Sequence, residues 1–250
     1  MPVNLGKTCS MRIIEALADE QPLTVYGVAK KSGIAVSFVH RVIKQPKVGL
    51  KALNIVKAYS SGTWRTGLER VEYILTFRGL LEYFNLLFEK KRTKETFKIR
   101  EAIRKNGRFY NYPVFSEIDY LEAWLGARVY DFICSSAWMV RNYPPSIPII
   151  TDTVSGQLPS FVKDIMEGRL AIPPEAEEKI LMHAYTLLFF DVATLAAPKE
   201  TTETAPNPAL FKLADDTYTE LKAALDERIT TVAKLEFVLK KKFGPLTRIT

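Results

Sequence analysis

Apolar positions recur at three- and four-residue spacing over most of this chain and change to two-residue alternation in one region, which predicts a mainly α-helical protein carrying one β-hairpin. Thr24 stands where a helix N-cap is expected. Val25, Val28 and Ala29 then form an apolar stripe up to Ser32, with Lys30 and Lys31 facing water. Gly33 follows, at a point where a left-handed turn favours glycine. A second helix is predicted from about Ala35 to Gln45. It turns Val39, Val42 and Ile43 inward and Ser37, His40, Arg41 and Lys44 outward, and Pro46 stops it. The small Ala29 lets the two helices cross closely, and Ile34 plugs the turn. From Leu50 the pattern becomes extended, with strands predicted at about Ala52 to Tyr59 and Leu68 to Leu75, joined by a turn from Gly62 to Gly67.

Beyond the hairpin the sequence reads as all-helical. KKRTKETFKIREAIRKNGR, Lys90 to Arg108, has Phe97, Ile99 and Ile103 at helical spacing and a wet, basic outer face. Ile118 to Val140 is apolar on more than one side, the pattern of a buried helix. A proline-rich crossing loop follows, and then two helices at Phe161 to Gly168 and Glu175 to Ala197. The most apolar run, Ile180 to Ala197, approaches the roughly 18 residues of a membrane span. His183 and Asp191 inside it favour a buried core helix, with no membrane as partner. Eight residues apart, those two read as core polar groups rather than a catalytic pair.

APKETTETAPNPA, Ala197 to Ala209, has no apolar pattern and reads as a linker. The last helix, from Leu210 to about Lys242, sets Phe211, Tyr218, Leu221, Leu225, Val232, Leu235 and Leu239 at three-four spacing. The seam is close to four heptads and predicts a homodimeric coiled coil. Packing of the same face on its own subunit is the alternative.

Composition adds a boundary and charge adds a direction. With 250 residues at 47% hydrophobic content the chain can bury a substantial core. Cys9 and Cys134 stand far apart without metal-ligand company, so neither a disulfide framework nor a zinc site is predicted, and a reducing cytoplasm is the expected location. The first twenty residues lack the uninterrupted apolar core of a signal peptide, since Arg12, Glu15 and Asp19 break it. Met1 to Tyr110 holds 21 Lys and Arg against 9 Asp and Glu, a net +12, whereas the remainder is net −5. A basic half of this size points to nucleic acid or another anionic surface.

Enzyme chemistry has no foothold in the pattern. There is no glycine-rich phosphate loop, no GxSxG, no HExxH and no paired CxxC, and nothing in the spacing of Asp119, Glu122, Asp131 and Asp152 selects them as a metal cluster. No cofactor is expected, and no small-molecule effector can be named from these residues.

The helix–glycine–helix, the hairpin, and the ending LTFRGLLEYF, Leu75 to Phe84, together resemble the winged helix-turn-helix of MarR-like, ArsR-like and related archaeal regulators. The resemblance covers about Thr8 to Glu89. Ser32 and Pro46 depart from its usual pattern. It implies a winged helix-turn-helix over residues 1–90, with three helices and the hairpin as a wing. A helical domain over 91–197, a linker over 198–209 and a C-terminal helix over 210–250 complete the expected organisation.

The resemblance further implies that the protein binds double-stranded DNA as a transcriptional regulator. Its second helix enters the major groove, and the wing meets the backbone or a minor groove. Ser37, Phe38 and Arg41 are then placed to meet base edges, Arg41 at guanine and the Phe38 ring at a thymine methyl. Lys30, Lys31 and Lys44 become phosphate contacts. His40 is a weaker candidate on the same face. At the wing, Lys57, Trp64, Arg65 and Arg70 combine charge with one aromatic. Two alternatives stay open for the aromatics, packing of Phe38 against the wing and folding of Trp64 onto its own strands. For the whole protein, the alternatives are a winged-helix adaptor for other proteins and an architectural, replicative or partition DNA-binding protein.

Overall fold

The computed structural model describes residues 5–64, 67, 69–91, 96–105, 112–142, 162, 165–167, 172–196, 219 and 223. Helix α1 (Leu5–Asp19) leads to a two-residue strand β1 (Leu23–Thr24), then α2 (Val25–Ser32) and α3 (Val36–Lys44). The helix boundaries follow from local chemistry. Thr24 caps α2 by accepting a hydrogen bond from the Gly27 N–H at 3.2 Å. Gly33 ends the helix at a φ of 63°, with its N–H on the Ala29 carbonyl. Beyond Pro46 the chain folds back under α3, where the amides of Leu50 and Lys51 donate to the Val42 and Ile43 carbonyls at 2.9 and 3.1 Å. These bonds satisfy carbonyls that the end of a helix leaves open.

This return delays the first long strand. It was expected from Ala52, but β2 runs Val56–Thr63, because Asn54 takes a left-handed φ of 53° and the amides of Ile55 and Val56 turn back to the Leu50 carbonyl. β2 pairs antiparallel with β3 (Glu69–Leu75), and β1 pairs on the far edge of β3, giving the order β1-β3-β2. The register slips between Ala58 and Ser60, which leaves Tyr59 as the bulged, exposed residue.

Helix α4 (Phe77–Glu89) follows the sheet directly, and ten of its thirteen residues are buried. Its start explains the Leu-Thr-x-x-Gly sequence. Thr76 donates its amide to the Ile55 carbonyl at 3.1 Å, and its hydroxyl accepts from the Gly79 N–H at 3.1 Å while donating to the Asn54 carbonyl. A β-carbon at Gly79 would lie 2.2 Å from the Ile55 carbonyl oxygen, so only glycine lets the helix approach the loop this closely.

The remaining described helices are α5 (Thr96–Lys105), α6 (Pro113–Ser116), α7 (Ile118–Leu125), α8 (Val129–Asn142) and α9 (Pro174–Ala196). The single helix expected over Ile118 to Val140 is therefore two. Gly126, at φ 61°, breaks it, and a short 3-10 turn to Arg128 redirects the chain. The protein is mainly helical with one small antiparallel sheet. The helix expected at Phe161 to Gly168 falls mostly outside the described residues, as do the proline-rich loop, the linker and the C-terminal helix.

One hydrophobic cluster runs from Ile13 to Ala193 without a break at residue 90, since α4 packs against α1 on one side and α8 and α9 on the other. An aromatic seam joins the two sides. Phe77 meets Tyr112 edge-on at 4.7 Å and Tyr185 at 5.7 Å, and Phe115 lies 5.8 Å from Phe84 and 5.9 Å from Tyr185. Helix α9 is the apolar run near 180–197, and it lies in this core with His183 buried. Among the described residues no helix is long and apolar enough to cross a membrane. Cys134 is buried on α8, and desolvation, helped by Asp131, pushes its thiol well above the usual cysteine value.

Buried ion pairs fasten the same contact. Arg78 is 8% exposed; it donates to Glu177 at 3.1 Å and to the Met166 carbonyl at 2.6 Å. The neighbouring Glu178 accepts from Lys57 at 2.9 Å and from the Tyr112 hydroxyl at 2.5 Å.

Two outcomes are expected in denaturant titrations. Gly79→Ala loses about 1–3 kcal/mol or more, because the helix must move off Ile55. Gly62→Ala, whose new methyl meets nothing within 4 Å, serves as the silent control; equal midpoints for the two would refute the close-approach argument. Arg78→Ala leaves the Glu177 carboxylate buried without its cation and costs about 3–5 kcal/mol, whereas Arg78→Met combined with Glu177→Leu recovers most of that. A double variant as unstable as Arg78→Ala would show that the pair is required for more than charge balance.

Candidate functional site

Helix α3 offers one buried and one open side. Val39 and Ile43 are fully buried, Val42 and Phe38 are half-buried, and Ser37, His40, Arg41 and Lys44 are exposed as the periodicity predicted. At 3.6 residues per turn, Val36, His40 and Lys44 form one row, and Ser37 and Arg41 form the next. The first row faces the hairpin. Between them lies an open groove of about 840 Å³, bounded by Val36, Ser37, His40 and Lys44 on one wall, Trp64, Arg70 and Val71 on the other, and Thr24, Val25 and Tyr26 at its end.

Trp64 is 48% exposed and lies against its own hairpin, with the Arg70 guanidinium of β3 5.1 Å from its ring centroid. Arg70 is also ion-paired with Glu72. Phe38 is half-buried and carries the Arg41 guanidinium at 6.0 Å from its ring centroid. This places Arg41 on the flank of α3 away from the groove, so Arg41 and Trp64 do not share a surface.

Two of the lysines expected to meet DNA already have protein partners. Lys57 is half-buried and paired with Glu178. Lys31 is held between Asp19 and Glu20, at 2.5 and 2.8 Å, and their hydrogen bonds raise its ammonium above the usual lysine value. A raised lysine value means that the pairing is complete at neutral pH and fades only as pH rises through the elevated folded value. Being surface pairs, these contribute little to stability. Lys30 is exposed. Arg65 and the seven seam residues Phe211, Tyr218, Leu221, Leu225, Val232, Leu235 and Leu239 lie outside the described residues.

Four features of the site were not singled out by the sequence reading. Tyr26 is 68% exposed and Val36 is 45% exposed, both at the groove, and Lys47 and Lys51 are exposed on the return that follows α3. One signal was available: no Asp or Glu occurs from Gln21 to Leu68, so the whole stretch through α2, α3 and β2 contains no acid of its own. Any neutralising carboxylate must come from elsewhere in the fold. Among the described residues, no group of three or more His, Cys, Asp or Glu is placed to hold a metal ion. No family model matches this chain, and neither a curated protein nor a solved structure shows significant similarity to it.

Proposed function

We propose that this protein binds double-stranded DNA as a winged helix-turn-helix and acts in the cytoplasm as a sequence-specific transcriptional regulator. Helix α3 enters the major groove, and the β2–β3 hairpin lies on the backbone or in a minor groove. The observation that carries the reading is the open face of α3. Ser37, His40, Arg41 and Lys44 are exposed on it with no carboxylate from Gln21 to Leu68; Ser37, His40 and Lys44 face a hairpin bearing Trp64 and Arg70, and Arg41 stands on the flank beside Phe38. Cations and hydrogen-bonding side chains on one helix face are what phosphates and base edges require. The element order α1-β1-α2-α3-β2-β3, with the sheet ordered β1-β3-β2, supports the same reading. A protein-binding adaptor is the second reading, favoured by the exposed Tyr26, Val36 and Trp64.

Salt separates the two. With about six phosphates neutralised, affinity for random duplex falls roughly a thousandfold between about 50 and about 200 mM salt. On a selected duplex Arg41→Ala costs about 1–3 kcal/mol and narrows the preference over random sequence, whereas Lys44→Ala weakens both alike. Fluorescence anisotropy measures all of these, and a flat salt response would assign the groove to a protein partner.

The proposal includes a homodimer through residues 210–242, resting on the apolar seam from Phe211 to Leu239, because two-fold pairing suits a protein that reads two half-sites. Leu225→Glu together with Leu235→Glu in the full chain is expected to halve the mass seen by light scattering; an unchanged mass would remove the seam from the interface.

A further inference from the structure

We infer that Val36 reads the 5-methyl group of a thymine, so that the preferred duplex carries thymine at the base pair facing the first turn of α3. This rests on the DNA-binding reading above and adds a base identity to it.

The argument begins with an apolar side chain that the core does not use. α3 already buries Val39 and Ile43, yet Val36, 20° from Ile43 on an ideal helix, is left 45% exposed at the open groove. A singly exposed valine is ordinary. Here it has company, since three of the six exposed large hydrophobic residues among those described, Tyr26, Val36 and Trp64, line the same groove. That groove also carries His40 and Lys44, in one row with Val36; its α3 wall lies in the stretch without acids, while Arg70 on the facing strand is paired with Glu72.

A surface both apolar and cationic calls for an anionic partner with an apolar feature. In the major groove that feature is the thymine methyl, which no other base presents there. The first turn of a docked helix is also the part that reaches base edges. Valine suits the task physically: its branched β-carbon holds one rotamer in a helix, so little freedom is lost on contact. Phe38, the other apolar candidate on α3, is half-buried beneath Arg41 and lies outside the groove.

The test uses the full chain. A duplex is selected from a random pool, and each of its thymines is replaced in turn by uracil, which removes the methyl alone. One position is expected to lose about fourfold in affinity, the equivalent of about 0.8 kcal/mol for one buried methyl. Val36→Ala, at an exposed position that leaves the melt unchanged, is expected to bind the thymine and uracil duplexes equally well. The inference is overturned if the uracil penalty persists in Val36→Ala, if no thymine matters, or if the pool yields no preferred sequence. In each of those cases duplex binding itself survives. Absence of binding to any duplex at low salt would instead overturn the DNA reading beneath it.

Discussion

Helix α4 is enclosed on nearly every side, and that enclosure is the constraint from which the rest of the structure follows. Burying a helix this fully is costly unless its polar groups find partners and its neighbours come close. Thr76 answers the first turn from inside the chain, Gly79 allows the Ile55 loop to come within contact, and Arg78 is matched by Glu177 and the Met166 carbonyl. The hairpin enters on one side of this helix and α8 and α9 cover the other. The described parts of the basic amino half and of the acidic remainder therefore share one hydrophobic core.

The distribution of carboxylates is what makes α3 distinctive. Three lysines elsewhere are met by acids: Lys31 by Asp19 and Glu20, Lys57 by Glu178, and Lys90 by Glu15. Fields from such pairs largely cancel within a Debye length of about 10 Å. Lys44 and Arg41 are exposed on α3, in a stretch of chain without acids, and Arg41 lies over the Phe38 ring. The basic character of the amino half is thus lowered by pairing at some lysines and left open along α3.

Local features were legible in the sequence, and tertiary ones were not. The cap at Thr24, the left-handed Gly33, and the inward stripe of Val39 and Ile43 depend on residues within one turn of each other, and all three appeared where expected. The early end assigned to the loop before β2 failed because Asn54 and the return to Leu50 are set by contacts with the end of α3. The break at Gly126 was hidden by apolar residues on both sides of it. Among the candidate site residues, Ser37, His40, Arg41 and Lys44 face outward by periodicity alone. The partners of Lys31 and Lys57 lie 12 and 121 residues away, and Val36 is exposed although it stands near the buried Ile43 on the helix. No local pattern encodes either.

The first turn of α9 takes on a mechanical character from its two adjacent glutamates. Consecutive residues point about 100° apart around a helix, so Glu177 reaches Arg78 at the root of α4 while Glu178 reaches Lys57 on β2 and the hydroxyl of Tyr112. Adjacent carboxylates on one helical turn therefore pin the hairpin strand and the central helix to the same short segment of α9, as two guy lines fixed to one peg.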